Sequence, residues 1–175
     1  MVRRGPFLPP QADVSARPPV APLITDEVNA FAGALPEAGA LIGLDLGTKT
    51  IGVAISDAGR RIATPLSLIK RKRFGVDVES IFEAAGGDEV AGIVLGLPRN
   101  MDGTEGPRAQ ATRAFARNLA GVRAVPILLW DERLSTVAVE RMLIEADRSR
   151  ARRAELVDKA AAAYILQGAL DATRS

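Results

Sequence analysis

Three acidic residues occupy positions where the neighbouring residues are apolar. Asp45 interrupts the apolar run 41–46, Glu132 stands with Asp131 directly after the apolar run 127–130, and Asp158 falls on the apolar stripe of a predicted C-terminal helix. A carboxylate among apolar groups costs free energy unless ionic or hydrogen-bonding partners meet it. Together the three acids predict a cluster of hard oxygen ligands that holds Mg²⁺ or Mn²⁺.

Each of these acids also has an ordinary structural explanation. The amides of the following turn can satisfy Asp45, and acids after a strand often pair with a neighbour such as Arg133 or cap the next helix. Asp158 is also favoured near the N-terminus of a helix by the helix dipole. Side chains alternate along a strand, so only one of Asp131 and Glu132 can readily join Asp45.

The composition narrows the possible chemistry. The chain has no cysteine and no histidine, which excludes disulfides, ordinary zinc sites, thiol nucleophiles and imidazole catalysis. Two hard cations on carboxylates can stabilise the attacking and leaving oxygens of a phosphoryl displacement, with water as the nucleophile. Residues 39–175 carry 20 Lys and Arg against 17 Asp and Glu, so a polyanion must be bound by local basic patches.

The sequence contains no apolar run of the roughly 18 residues that a membrane helix needs. The N-terminus also lacks the charged, apolar and small-residue regions of a secretory signal. We therefore expect a cytoplasmic protein without a membrane partner.

The chain divides at about residue 38. Seven of its eleven prolines fall within the first 36 residues, so residues 1–38 are predicted to be a flexible extension, with a small helix possible at 26–35. Residues 39–175 are predicted to form one α/β domain. Its length suits one hydrophobic core.

The apolar patterns predict the order of elements in that domain. Residues 41–56 suit a hairpin, a third short strand is expected near 61–66, and apolar strands are expected at 91–95 and 125–130. Helices are predicted at 76–85, from Pro107 to about residue 119 before Gly121, from Ser135 or Thr136 to about 146, and at 155–171. The result is a mixed five-stranded sheet, three antiparallel strands and then parallel strands, flanked by helices.

Basic and polar residues near these acids are candidates for binding a phosphate backbone. They lie in the first turn, after the third strand, in the loop 96–106, beside Glu132 and before the last helix. The candidates are Gly47, Thr48, Lys49, Arg71, Arg73, Asn100, Arg133, Arg150, Arg152 and Arg153. Charge runs also commonly serve only solubility. Trp130 is the only tryptophan and is expected to pack in the core rather than to stack on a base.

Four motifs in one order resemble the bacterial YqgF family, which is also described as Holliday-junction-resolvase-like and as a family of pre-16S rRNA nucleases. The motifs are GLDLGTKTIGVA at 43–54, GLPRNMDGTE at 96–105, DERLST at 131–136 and DKAAA at 158–162. The resemblance covers about residues 40–170. It implies an RNase H-like fold and metal-dependent hydrolysis of phosphodiesters in 5′-end processing of pre-16S rRNA, with Asp45, Glu132 and Asp158 as the catalytic acids.

Several alternatives remain open on the sequence. The substrate could be a structured RNA, within a ribosomal precursor particle, or a branched DNA such as a Holliday junction. The domain could also be a non-catalytic nucleic-acid-binding module of the same fold. Residues 45–48 resemble the first phosphate loop of actin-like and sugar-kinase-like ATPases too, although those enzymes use two copies of the fold. A monomer or a weak homodimer is expected.

Overall fold

The computed structural model describes residues 22–87, 89–135 and 150–175, and the side chains at 150–156 and 158 lie outside that description. The described elements, in chain order, are β1 (Ile24–Thr25), α1 (Val28–Ala34), β2 (Ala40–Leu46), β3 (Thr50–Ser56), β4 (Ala63–Lys70), α2 (Phe74–Ala84), β5 (Val90–Leu97), α3 (Pro107–Val122), β6 (Ile127–Asp131), a 3₁₀ turn (Glu132–Leu134) and α4 (Arg150–Thr173).

The strands form one mixed sheet in the order β1-β6-β5-β2-β3-β4. Strands β2, β3 and β4 pair antiparallel, and β5 pairs parallel with both β2 and β6. Because β2, β5 and β6 are parallel, their carboxyl ends lie at the same edge of the sheet. That edge carries Asp45, Gly96 and Asp131.

Apolar side chains cover both faces of the sheet, which makes three layers. One core contains the buried side chains of α2 and α3, including Ile81, Phe82 and Leu119. The other core contains the buried side chains of α1 and α4, including Phe31 and Leu166. The mixed α/β architecture predicted from the sequence is confirmed, and all eight residues of the central strand β5 are buried.

The N-terminal part of the fold differs from the prediction in two ways. A sixth strand, β1, pairs parallel with β6, and Ile127 N donates to Leu23 O at 2.8 Å. The helix that was possible at 26–35 is present as α1, and its Phe31 is fully buried. The flexible extension therefore does not reach residue 38, because residues 22–35 belong to the packed structure. Residues 1–21 lie outside the description.

The helix and strand boundaries also shift from those predicted. β4 runs to Lys70 and so is longer than expected, and α3 continues through Gly121, which was predicted to end it. α4 begins at Arg150, so Arg150, Arg152 and Arg153 lie in its first turns and not in a loop. The helix predicted from residue 135 or 136 to about 146 lies outside the described residues, except for Ser135.

Among the described residues, no helix combines the length and the apolar character that crossing a membrane requires.

Candidate active site

Asp45 lies one residue before the end of β2, where the strand leaves the apolar core. It is partly exposed and stands opposite Gly52 of β3. The chain then turns through Gly47, whose N–H donates to Thr50 O at 2.9 Å. Pairing with β3 therefore fixes the position of Asp45 along β2, and the tight turn that follows places its carboxylate at the edge of the sheet.

The glycines on either side of Asp45 serve packing and the turn. A Cβ at Gly43 would lie 2.7 Å from both Ala162 O and Leu166 Cβ, so the bare backbone allows α4 to approach β2 closely. A Cβ at Gly47 would lie 2.9 Å from Thr50 O. Gly43 therefore leaves no room for a ligand beside Asp45, because α4 fills the space.

Glu132 follows β6 and reaches across the end of β5 toward Asp45. A Cβ at Gly96 would lie 2.6 Å from Glu132 Oε1, so the absence of a side chain at position 96 leaves the space that this carboxylate occupies. Burial, the charge of Asp45 and a hydrogen bond with the carboxyl group of Asp45 together raise the pKa of Glu132 to about 7. The positive charge of Arg108 acts in the opposite direction. Asp45 and Glu132 thus meet as one carboxylate pair.

Asp131 has a different role. Its carboxylate accepts from Arg133 Nη2 at 2.6 Å and from Arg133 Nε, and it also accepts from the Arg133 backbone N–H at 3.1 Å. This pairing lowers the pKa of Asp131 below its usual range. The two roles that the sequence left open for these acids are therefore both present, because Asp131 pairs with Arg133 and Glu132 joins Asp45.

The side chain of Asp158 lies outside the described residues, but the backbone register of α4 is described. Gln167 of α4 accepts from Ala63 N, at the level of the start of β2, and Ala162 lies over Gly43. The contact of Ala162 with Gly43 places α4 over β2 two residues before Asp45. Residue 158 lies one helical turn before Ala162, about 6 Å along the helix. Among the described side chains, no three acids form a metal-binding group.

An open cleft of about 540 Å³ lies beside Asp45. Its lining residues come from the end of β2, the following turn and the start of α3, and they are Asp45, Gly47, Thr48, Lys49, Thr50 and Arg108. Three candidates for nucleic-acid contact, Gly47, Thr48 and Lys49, therefore lie beside Asp45. The cleft brings a carboxylate and two cations to one concave surface.

Sequence reasoning missed Arg108. This exposed residue is the second of α3, directly after the loop 96–106 and Pro107, and its charge reaches both the cleft and Glu132. A helix that begins with Pro-Arg at the carboxyl end of a central strand was the available signal. Arg108 stands alone in the sequence, outside the runs of basic residues that indicate a phosphate-binding surface.

The remaining candidates for nucleic-acid contact differ in their position relative to the cleft. Arg71 lies beside the first turn, and its Nη1 donates to Gly47 O at 2.9 Å. Arg73 is exposed before α2 and does not line the cleft. Asn100 stabilises its own loop, with its N–H donating to Thr104 O at 2.8 Å and its side chain to Thr104 Oγ1. Arg133 forms an ion pair with Asp131. The side chains of Arg150, Arg152 and Arg153 are outside the description.

Trp130 packs in the core, as predicted. It is 9% exposed, its Nε1 donates to Ser135 Oγ at 3.2 Å, and its ring lies against Gly168 of α4. It is not positioned as a surface platform for a base.

Comparison with known proteins gives a consistent family assignment. The model of the family RuvX, described as Holliday junction resolvase, matches residues 39–172. A protein of Ruegeria pomeroyi named "Putative pre-16S rRNA nuclease" is 61% identical over 153 residues, 87% of this chain and 99% of its own length. A protein of Rhodospirillum rubrum with the same name is 64% identical over 146 residues, 83% of this chain and 91% of its own length. The mixed sheet with helices on both faces is the RNase H-like fold that the sequence resemblance implied.

Proposed function

Because the chain belongs to the RuvX family, described as Holliday junction resolvases, we propose that it is a metal-dependent nuclease that hydrolyses phosphodiester bonds of nucleic acid. The relatives' shared name points to pre-16S rRNA as the substrate, and 5′-end processing of that RNA in ribosome biogenesis is the biological task that we propose. The substrate is then a structured RNA, carried by a ribosomal precursor particle.

The carboxylate pair of Asp45 and Glu132 is the observation that carries this proposal. Two adjacent carboxylates at a sheet edge, one of them with a raised pKa, are unfavourable for the fold alone. Such pairs are characteristic of sites where a cation or a reacting group completes the arrangement. The Lys49 and Arg108 cations on the same cleft suit a phosphate beside the pair.

The residues fit Mg²⁺ or Mn²⁺. The donors are carboxylate oxygens, and the chain contains no histidine or cysteine to favour a softer metal. The space left by Gly96 allows Glu132 to turn toward Asp45. When bound, a divalent cation supplies a Lewis acid that activates water and offsets charge on the phosphoryl oxygens.

We include Asp158 as the third acid of the site. Its helix approaches β2 at Gly43, two residues before Asp45, and residue 158 lies one helical turn before Ala162, which packs over Gly43. An acid contributed by α4 would bring a carboxylate to the pair from the helix layer. Three carboxylates hold a hard cation more firmly than two, because each adds an oxygen ligand and a negative charge.

The other residues of the cleft bind and orient the strand. The Lys49 ammonium and the Arg108 guanidinium pair with phosphate oxygens, and the backbone N–H groups of Thr48 and Lys49 can donate to the same group. A phosphate held in this way directs its phosphorus atom toward the carboxylate pair. No side-chain nucleophile is required, since water is the attacking group. Arg73, Arg150, Arg152 and Arg153 are proposed as outer contacts with the backbone.

The decisive experiment compares two substrates. A pre-16S 5′ leader RNA and a synthetic four-way DNA junction are incubated with the wild type, Asp45→Asn, Glu132→Gln and Asp158→Asn, in Mg²⁺, Mn²⁺ or chelator. Glu79→Gln, an exposed acid on α2, is the matched control. We expect RNA cleavage by the wild type and by the control only, and only with metal. Cleavage that survives the chelator or Asp158→Asn would contradict the three-acid metal mechanism.

The same experiment separates the other candidates. The family description favours DNA junctions as the second candidate substrate, and cleavage of the junction but not of the RNA would support it. Binding of both nucleic acids without cleavage would instead indicate a non-catalytic module. Release of inorganic phosphate from ATP would indicate the ATPase alternative. With the nuclease function we also propose that the protein is cytoplasmic, that it is a monomer or weak homodimer, and that residues 39–175 form its catalytic unit.

A further inference from the structure

A second, smaller pocket lies against the same turn that borders the cleft. It encloses about 90 Å³ and is lined by residues of the end of β2, the turn, the loop before α2 and the first turns of α3, which are Leu46, Gly47, Thr48, Arg71, Arg108, Ala111 and Thr112. It shares Gly47, Thr48 and Arg108 with the cleft. The two spaces are therefore neighbours, separated by one turn of backbone and one arginine.

Arg71 is held in place at this pocket by two contacts with the turn. Its Nη1 donates to Gly47 O at 2.9 Å, and its backbone N–H donates to Lys49 O at 2.9 Å. A guanidinium group has five N–H donors in a rigid plane, so one anchoring bond leaves donors for a ligand. Arg71 is thus positioned by the turn and still able to bind.

The charge of the pocket is positive. Its described lining residues include two guanidinium groups and no carboxylate. Neither Arg71 nor Arg108 forms an ion pair with an acid among the described residues. Two like charges at one small concavity repel each other, and an anion that contacts both removes that repulsion. Bidentate arginines are well matched to phosphate oxygens.

The size of the pocket limits the anion. The pocket, at about 90 Å³, is small beside the cleft of about 540 Å³. A small space beside two guanidinium groups suits one phosphate group better than a nucleobase with its sugar. A single phosphate is therefore the anion that fits.

We propose that this pocket binds one backbone phosphate of the substrate strand, next to the phosphate that the cleft presents for cleavage. This inference rests on the proposed nuclease function and adds a second phosphate contact to it. Arg108, which borders both spaces, bridges the two phosphates. The turn 47–49 then determines which linkage reaches the carboxylate pair, because the strand is fixed on both sides of it.

The test uses leader RNA strands that each carry one uncharged methylphosphonate linkage, moved one position at a time around the cleaved bond. In the wild type, neutralising the phosphate in the pocket should raise KM about tenfold and leave kcat unchanged, as expected for a lost charged hydrogen bond. In Arg71→Gln, the same linkage should raise KM clearly less than in the wild type, because only Arg108 then remains to contact that phosphate, and the dependence of affinity on salt should fall by about one phosphate contact.

Arg117→Gln is the matched control, because Arg117 is an exposed arginine farther along α3. It should retain the wild-type response to every methylphosphonate. The inference is overturned if the methylphosphonate penalties are the same in Arg71→Gln and in the wild type. It is also overturned if inorganic phosphate protects the wild type against heat but no linkage is coupled to Arg71, since the pocket would then bind the free ion.

Failure of the proposed function is distinguishable from failure of this inference. If the wild type cleaves nothing, direct binding of the same methylphosphonate strands still measures the coupling to Arg71. If the wild type cleaves and Asp45→Asn does not, the nuclease proposal stands whichever result the pocket gives.

Discussion

Replacing Glu132 by glutamine should stabilise the metal-free protein at alkaline pH. The pKa of Glu132 lies at about 7, above its usual 4.5, because of burial and the adjacent Asp45. Its contribution to folding is therefore fully present below about pH 4.5 and is lost as the pH rises through 7. The difference between these two pKa values corresponds to about 3.4 kcal/mol of folding free energy, at 1.36 kcal/mol per pKa unit. Because the side chain is partly exposed, we expect about 2 kcal/mol after solvent screening.

Glutamine imitates the protonated carboxyl and does not titrate. In the presence of EDTA, Glu132→Gln and the wild type should have similar free energies of unfolding at pH 5, and the variant should be more stable by about 2 kcal/mol at pH 8.5. Urea denaturation followed by circular dichroism measures both values. Saturating Mg²⁺ or Mn²⁺ should reduce the difference, since a bound cation favours the ionised carboxylate.

The control for this experiment is Glu79→Gln, which removes an exposed acid of α2 and should change stability little at either pH. Parallel pH profiles for the wild type and Glu132→Gln would refute the assigned proximity of Asp45 and Glu132. Loss of cleavage in Glu132→Gln together with a gain in stability would show that the site carries a free-energy cost that activity requires.

Three further results are expected. Gly43→Ala should lower the free energy of unfolding by about 1 to 3 kcal/mol, because its Cβ would lie 2.7 Å from atoms of α4. The control Gly33→Ala should not destabilise the protein, since a Cβ at Gly33 meets nothing within 4 Å. Equal melting temperatures of the two variants would contradict the close packing of α4 on β2. Phe31→Ala should cost about 3 kcal/mol, because the ring is fully buried; an unchanged urea midpoint would show that α1 does not belong to the core. Trp130 should emit as a buried indole and shift to longer wavelength on unfolding, and a red emission maximum in the native protein would contradict its packing.

The location of Asp45 and Glu132 was accessible from the sequence because each follows from a local pattern. Each acid lies at or just after the carboxyl end of an apolar strand. The two strands run parallel, so both acids come to the same edge of the sheet. Alternation left Asp131 and Glu132 both open. The family resemblance implied Glu132, and the structure gives the physical reason, because Arg133 pairs with Asp131 and Gly96 makes space for Glu132.

The errors arose where tertiary packing overrides local composition. A proline-rich stretch suggested flexibility up to residue 38, but Phe31 and β1 gain enough from burial and strand pairing to order residues 22–35. Gly121 has a low helix propensity, yet α3 continues through it, since one glycine costs only about 1 kcal/mol in a helix held by its buried face.

The sequence by itself narrowed the class of chemistry, because the absence of histidine and cysteine excludes imidazole and thiol catalysis. Apolar periodicity also predicted the succession of elements from β2 to β6. Only the tertiary structure decided that Glu132 reaches Asp45 while Asp131 pairs with Arg133, and that Arg71 and Arg108 face one pocket. Those contacts join residues far apart in the chain, and their distances depend on how closely helices pack on the sheet, which no local pattern encodes.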